Sequence, residues 1–150
     1  MKVLVNIFLM LSSLSAVAQG IYPPAAGVDG TTAIHKDSSV FIDWASACSI
    51  QRGKQDIASI NSDTTSIGAS ANVIGKADGI SVVSLGDGGE AIVEFNGSIF
   101  DGQGPDFAVF ENAFNPTFLE LAFVEVSSDG ENFYRFPAHS LTDTHKAVGS

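Results

Sequence analysis

The segment from Gly86 to Pro137 alternates short apolar runs with turns that are rich in aspartate and glycine. Turns that recur roughly every ten residues are typical of β-sandwiches and jelly rolls. No part of the sequence places apolar residues convincingly at the spacing of an amphipathic helix. The sequence therefore predicts an all-β fold, namely an antiparallel β-sandwich of the jelly-roll kind.

Six segments have the composition or the alternation of β-strands, namely Val40–Trp44, Ile80–Leu85, Glu90–Phe95, Phe107–Phe110, Leu119–Ser127 and Phe133–Phe136. Asn96-Gly97 and Asp129-Gly130 have the chemistry of hairpin turns. Residues 45–76 are predicted to form a long loop with one short strand at most. Because a sandwich usually has about seven or eight strands, we expect a fragment whose sandwich is incomplete at the C-terminus. The alternative is a small sandwich that a partner completes.

The N-terminal residues have the layout of a secretory signal peptide. Lys2 gives a basic start, Val3–Leu11 is a largely apolar run, and Ala16-Val17-Ala18 places small residues where signal peptidase cuts. The apolar run is shorter than the about 20 residues that a membrane span needs. We therefore predict a cleaved signal and a protein that is secreted or held at the cell surface. The predicted order is signal peptide 1–18, extended leader 19–37 and β-sandwich domain 38–150.

The chain is acidic. Its formal net charge is −10, and loss of Lys2 with the signal peptide would make the charge −11. Such a surface repels phosphate backbones and anionic lipids, which argues against nucleic acid as a partner. No later segment is apolar enough to span a membrane. Cys48 is the single cysteine, so no disulfide can form within the chain, and its small and apolar neighbours favour a buried side chain over a catalytic thiol.

An acidic loop runs from Asp101 to Asp106 and contains glycine at positions 102 and 104. Calcium takes about six to eight oxygen ligands from carboxylates, amides and carbonyls, and a flexible loop can supply them. The predicted calcium ligands are Asp101, Asp106, Glu111, Asn112, Asp78 and Asp87. The alternative is a set of ordinary Asp-Gly turns, in which each aspartate binds its own backbone. Magnesium fits less well, since it prefers phosphates or water-rich sites.

Several aromatic side chains are candidates for stacking on a sugar ring. The predicted ligand-binding residues are Trp44, Phe114, Phe118 and Tyr134, with Tyr22 as a further candidate. Two phenylalanines in the short segment 114–118 would be unfavourable to expose without a use. The alternative is that both fold back over an edge of the sandwich. A pair of carboxylates could also hydrolyse glycosides, but nothing in this acidic sequence selects one acid and one base, so we expect no catalytic activity.

Several segments resemble a family of exported bacterial proteins that are described as cell-surface proteins, many of which carry a C-terminal sorting tail for type IX secretion. The matching segments are Ala33–Ser38, Ala77–Gly79, Val83–Gly89, Gly104–Asn112 and Val124–Gly130. The most specific of them is Asp106–Asn112, and the segment Val124–Gly130 is also similar to a strand and turn of discoidin-like β-sandwich domains. The resemblance implies a β-sandwich at the bacterial surface with no established catalytic activity. It also implies a missing C-terminal half, because members of the family continue beyond the matching region.

We therefore expect an exported, non-catalytic cell-surface module that binds a glycan or a protein ligand, with loops organised by calcium. One alternative is a purely structural or assembly module of a larger surface protein. A second alternative is a carboxylate-dependent glycoside hydrolase.

Overall fold

A computed structural model describes residues 23–112, 115 and 122–139 of the chain. The chain divides into two compact units, Met1–Ala33 and Ile34–Ser150. The predicted signal peptide and its cleavage site lie outside the described residues.

The described part of the first unit is a series of turns. Backbone hydrogen bonds of 3.1 Å join the N–H of Val28 to the carbonyl of Ala25, and the N–H of Thr31 to the carbonyl of Val28. The Thr31 hydroxyl also donates to the carbonyl of Pro24, at 2.6 Å. Residues 25–31 therefore form local turns within the segment that the sequence assigns to a leader. The hydroxyl of Thr31 closes the turn that follows Pro24, whereas an extended chain would leave these carbonyls to water.

The first sheet of the second unit pairs β1 (Ala47–Gln51) with β2 (Glu90–Glu94) in antiparallel fashion. Directly opposed residues of antiparallel strands lie on the same face. Since Cys48 lies opposite Val93 and Ile50 lies opposite Ala91, one face of this sheet is apolar. The other face carries mainly polar side chains. The sequence predicts a strand over Glu90–Phe95 with Ala91, Val93 and Phe95 on one face. The register confirms it for Ala91 and Val93, while Phe95 lies beyond the end of β2.

The second sheet is a hairpin of β3 (Glu125–Val126) and β4 (Tyr134–Arg135). Glu125 lies opposite Arg135, and Val126 lies opposite Tyr134. The predicted Asp129-Gly130 turn joins the two strands, and Gly130 has a φ of 74°, which favours glycine. The hairpin prediction is therefore confirmed here. Residues 119–121 of the predicted strand Leu119–Ser127 lie outside the described residues.

Arg52 organises the long connection between β1 and β2. Its guanidinium donates to three backbone carbonyls: Nη1 to Ile67 at 2.7 Å and to Ser84 at 2.5 Å, and Nη2 to Gly68 at 2.7 Å. A planar guanidinium with several fixed N–H groups is suited to such a convergence of acceptors. The side chain at the end of β1 thus fixes two distant parts of the loop with respect to each other.

Glycines allow a close approach of two backbones beside this contact. Gly53 donates to the carbonyl of Leu85 at 2.8 Å, and a Cβ atom at Gly53 would overlap the backbone of Asp87. In the predicted turn Gly86–Gly89, the Gly89 N–H donates to the Gly86 carbonyl at 3.0 Å, and Gly86 has a φ of 75°. The prediction of a turn at these glycines is confirmed.

Three predicted strands are absent from the described residues: Val40–Trp44, Ile80–Leu85 and Phe107–Phe110. The N–H groups of Ile80 and Ser81 donate to the Asp78 carboxylate, which removes them from any ladder. Ile42 is 95% exposed and Val109 is 68% exposed, so neither belongs to a core. Apolar composition alone does not specify a strand. In Ile80–Leu85 only single backbone bonds form, such as that from the Ser84 N–H to the Ile67 carbonyl at 3.2 Å.

The predicted turn at Asn96-Gly97 is a bend of the backbone and not a hairpin turn. A two-residue hairpin turn of the Asn-Gly type needs positive φ at both residues, and neither residue has it. β2 pairs with the distant β1 rather than with a strand that follows the turn.

The described residues confirm the all-β class at a coarse level. They form two antiparallel sheets of two strands each and contain no α-helix, although Ser70–Val73 makes one turn of 3-10 helix. None of the described residues is buried.

Candidate functional site

The predicted calcium ligands at the acidic loop lie in irregular, exposed backbone. Asp101, Asp106, Glu111 and Asn112 are all exposed. Asp106 closes the loop on itself, since its Oδ1 accepts a hydrogen bond of 2.9 Å from the N–H of Gly102. This carboxylate therefore already has a backbone partner, as in the alternative interpretation of ordinary turns.

Asp78 fixes the turn that follows it. Its Oδ1 accepts from the N–H groups of Ile80 and Ser81, and its Oδ2 accepts from the Ser81 hydroxyl, all at 2.7 Å. These donors, with the Ile80 N–H first, lower the pKa of Asp78 to about 2. Hydrogen bonds to the charged form of a carboxyl group favour ionisation in this way. Asp78 is therefore a turn-stabilising residue in this structure.

Asp87 holds a neighbouring loop. Its Oδ2 accepts a hydrogen bond of 3.0 Å from the N–H of Ile57, and its backbone forms an antiparallel bridge with Lys54. The bonds between Lys54 and Asp87 measure 2.7 and 3.2 Å. Asp87 thus links the segment after β1 to the turn before β2.

Across the residues that the structure describes, no group of three or more histidine, cysteine, aspartate or glutamate side chains is arranged to hold a metal ion. Asp78 and Asp106 accept from N–H groups within their own turns, and Asp87 accepts from the N–H of Ile57. Calcium binding by this set stays a prediction. It would require some of these carboxylates to exchange backbone donors for the ion.

Trp44, the first predicted aromatic ligand-binding residue, lies in a cluster of three rings. Its ring stacks on Phe110 with centroids 5.7 Å apart, and Phe41 contacts both at 5.5 Å and 5.4 Å. Aromatic pairs at such distances stabilise by about 0.5–1.5 kcal/mol beyond the area that they bury. One face of Trp44 is therefore occupied by Phe110.

Tyr134 is the more accessible candidate. It is 72% exposed, and it shares a face of the β3–β4 hairpin with its cross-strand partner Val126. Tyr134 takes part in none of the ring–ring contacts of the described residues. Tyr22, Phe114 and Phe118 lie outside the described residues.

The turn beside Tyr134 is organised by Asp129. The Asp129 Oδ1 accepts from the N–H groups of Glu131 and Asn132 at 2.9 and 2.8 Å, and its Oδ2 accepts from the Asn132 amide at 2.7 Å. These bonds, with the Asn132 N–H first, lower the pKa of the Asp129 carboxyl well below its usual range. The turn therefore presents its polar groups in a fixed arrangement.

The pKa values of Asp37, Asp78 and Asp129 are all lowered. The general acid of a glycosidase needs a raised pKa, so that it holds its proton near neutral pH. Asp37, Asp78 and Asp129 therefore lack the raised pKa of such an acid.

Sequence reasoning missed Arg52, because its three partners are backbone carbonyls and carry no signature in their side chains. Partial burial raises the pKa of the Cys48 thiol. The side chain is only half-buried, so the prediction of a buried Cys48 is not confirmed.

No family model, no curated protein and no solved structure matches this chain. Within the described residues, no helix combines the length and the apolar character that a bilayer crossing requires.

Proposed function

We propose that this chain is an exported, non-catalytic β-sandwich module of a bacterial cell surface that binds a surface glycan through Tyr134. The observation that carries this proposal is the 72% exposure of Tyr134 on a sheet face beside Val126. Sugar rings stack on open aromatic faces, and tyrosine offers such a face together with a hydroxyl group.

The surroundings of Tyr134 support this choice over Trp44. The Tyr134 strand follows a turn whose backbone is held by Asp129, so little ordering would be needed on binding. Trp44 instead stacks on Phe110 at 5.7 Å. A ligand would have to displace Phe110 to use that face of the indole.

A glycan array tests the proposal with the full chain and three variants. We expect the wild type and Tyr134→Phe to bind, because both keep the ring, and Tyr134→Ala to lose binding. Phe100→Ala is the matched control, since Phe100 is 81% exposed but lies outside the hairpin. A blank array from protein that circular dichroism shows to be folded contradicts glycan binding, as does equal loss in Phe100→Ala.

Calcium organising the loops around Asp101, Asp106, Glu111 and Asn112 is part of this proposal. We expect the thermal midpoint to rise in millimolar calcium relative to excess chelator, since an ion that binds only the folded state stabilises it. Asp106→Asn should abolish the rise. Glu131→Gln is the control, because it removes one exposed negative charge outside the predicted ligand set. An unchanged midpoint, or the same rise in Asp106→Asn, contradicts a calcium site that uses Asp106.

A structural or assembly module is the second candidate, and exposed apolar side chains favour it. Ile60 and Ile80 are 88% and 83% exposed, and Ile42 is more exposed still. A contiguous exposed apolar patch marks an interaction site, so this candidate requires such side chains to form one surface. We expect binding of the dye ANS, which Ile42→Ser and Ile80→Ser reduce. Absence of ANS binding by the folded wild type contradicts this candidate.

A further inference from the structure

Asn96 and Gly97 follow β2, which ends at Glu94, and both are exposed in a bend of the backbone. They form the single Asn-Gly pair of the sequence. In such a pair the backbone nitrogen of glycine can attack the side-chain carbonyl carbon of the preceding asparagine. The attack requires that the glycine N–H is not held in a hydrogen bond and that the backbone is free of steric hindrance.

Gly97 meets both requirements. Its N–H is not a donor in any hydrogen bond of the described residues, and a Cβ atom placed at Gly97 would meet nothing within 4 Å. The side chain of Asn96 likewise has no hydrogen-bond partner in the described part of the chain. The backbone also lacks the positive φ values of a tight Asn-Gly hairpin turn, so no turn hydrogen bond restrains the pair.

Other glycines of this chain show the opposite arrangement. The N–H of Gly102 donates to the Asp106 carboxylate at 2.9 Å, and the N–H of Gly130 donates to the Ser127 hydroxyl at 2.9 Å. A nitrogen held in this way is a poorer nucleophile, because its proton is shared with an acceptor. The amide of Gly97 therefore differs from those of Gly102 and Gly130, which are held by acceptors.

We propose that Asn96 is a site of spontaneous deamidation. The Gly97 nitrogen loses its proton and forms a bond to the Asn96 Cγ, and the bond from Cγ to the amide nitrogen breaks, which releases ammonia. The resulting five-membered succinimide then takes up one water at either of its carbonyl carbons and opens. The products are aspartate and isoaspartate, and no oxidant or reductant is needed.

The modification adds one negative charge just beyond β2. The last backbone bond between the two strand segments joins the Ser46 N–H to the Glu94 carbonyl at 2.8 Å, which precedes Asn96. The pairing of β1 with β2 is therefore expected to survive. In the isoaspartate product, an extra methylene enters the backbone and changes the direction in which the chain leaves β2.

Peptide mapping by mass spectrometry tests the proposal on the full folded chain after incubation in mildly alkaline buffer. We expect the Asn96 peptide to gain the mass difference between an amide and an acid, and a second product of equal mass to be methylated by an isoaspartyl methyltransferase. Asn132 is the internal control, because its side-chain amide donates to Asp129 at 2.7 Å and phenylalanine follows it. Its peptide should remain unchanged.

Gly97→Ala is the matched variant, and it should fold, since its added methyl group meets open space. We expect its conversion at Asn96 to fall to the level of Asn132, because a methyl group hinders the attacking nitrogen. Conversion of wild-type Asn96 no faster than Asn132 in the folded chain overturns the proposal. Conversion that occurs only after unfolding in urea overturns it as well.

Discussion

The guanidinium of Arg52 donates from Nη2 to the carbonyl of Gly68 at 2.7 Å, although Gly68 lies in a different part of the loop. Two further bonds from Nη1 reach Ile67 and Ser84. The side chain that follows β1 thus joins residues 67–68 to Ser84 through hydrogen bonds to their backbone carbonyls.

Removal of this guanidinium should destabilise the fold. We expect Arg52→Met to lower the free energy of unfolding by about 2 kcal/mol, because a hydrogen bond to a charged group contributes about 1.5–3 kcal/mol and three partially exposed acceptors lose their donor. Urea unfolding followed by circular dichroism measures the change. Arg135→Met is the control: its exposed ion pair with Glu125 at 2.6 Å should contribute only about 0.2–1 kcal/mol. If both variants lose the same free energy of unfolding, Arg52 does not stabilise the loop more than an exposed ion pair does.

The close approach at Gly53 gives a second prediction. Gly53→Ala should reduce stability by about 1–3 kcal/mol, since the added Cβ would overlap the backbone of Asp87 and force it to move. Gly97→Ala, where the same atom meets open space, should change stability by less than about 0.5 kcal/mol. The measurement is the midpoint of urea unfolding, which reports stability when the denaturant dependence (the m-value) is unchanged. A tolerated Gly53→Ala would show that the two segments are not in contact.

Asp37 provides a prediction for pH dependence. Its Oδ1 lies 2.7 Å from the Lys76 Nζ and its Oδ2 lies 3.0 Å from the Lys36 Nζ. The bonds from Lys76 and then Lys36 lower the pKa of Asp37 from 3.8 to about 2. Because the folded-state pKa is the lower one, this group stabilises the fold above the unfolded value, and its contribution disappears as the pH falls from about 4 to about 2.

An NMR titration of the Asp37 carboxyl carbon checks this assignment. We expect Lys76→Met to raise the pKa of Asp37 towards its usual value, and Lys36→Met to raise it by less. High salt should also raise the pKa of Asp37, because its ion pairs are exposed and salt screens exposed charges. A pKa that Lys76→Met leaves unchanged would refute the ion pair.

The single tryptophan reports on the aromatic cluster. We expect Phe110→Ala to shift the fluorescence of Trp44 to longer wavelength, since water would replace the ring that stacks on the indole at 5.7 Å. Phe107→Ala, in the same segment, should leave the emission unchanged because Phe107 contacts Phe136 instead. A shift in the Phe107 variant alone would contradict the arrangement of the rings.

Local patterns predicted the parts of the fold that depend on neighbouring residues. The alternation in Glu90–Glu94 and the turn chemistry of Asp129-Gly130 each specify a local conformation, and both are present. The strand Ala47–Gln51 had no such signal, because alanine, serine and glutamine have little β-propensity. Its conformation depends on the pairing with β2, which no local window of the sequence contains.

The candidate site was predictable to a similar degree. Asp78 binds the N–H groups of its own turn, which the alternative of ordinary Asp-Gly turns anticipates. The sequence could not show that Asp87 binds the N–H of Ile57, thirty residues away. Likewise, composition identified Trp44 and Tyr134 as aromatic candidates. Only the structure distinguishes a ring that stacks on Phe110 from a ring that faces solvent.

The register that places Gln51 opposite Glu90 has a consequence for how the polypeptide is made. Everything from Arg52 to Gly89 must leave the ribosome before β1 can find its partner, and closing that segment costs about 3 kcal/mol of chain entropy. A nascent chain that stalls before Glu94 would hold β1 with two open edges. Such edges recruit strands from other molecules, so truncation upstream of Glu94 should yield aggregates rather than a shorter native product.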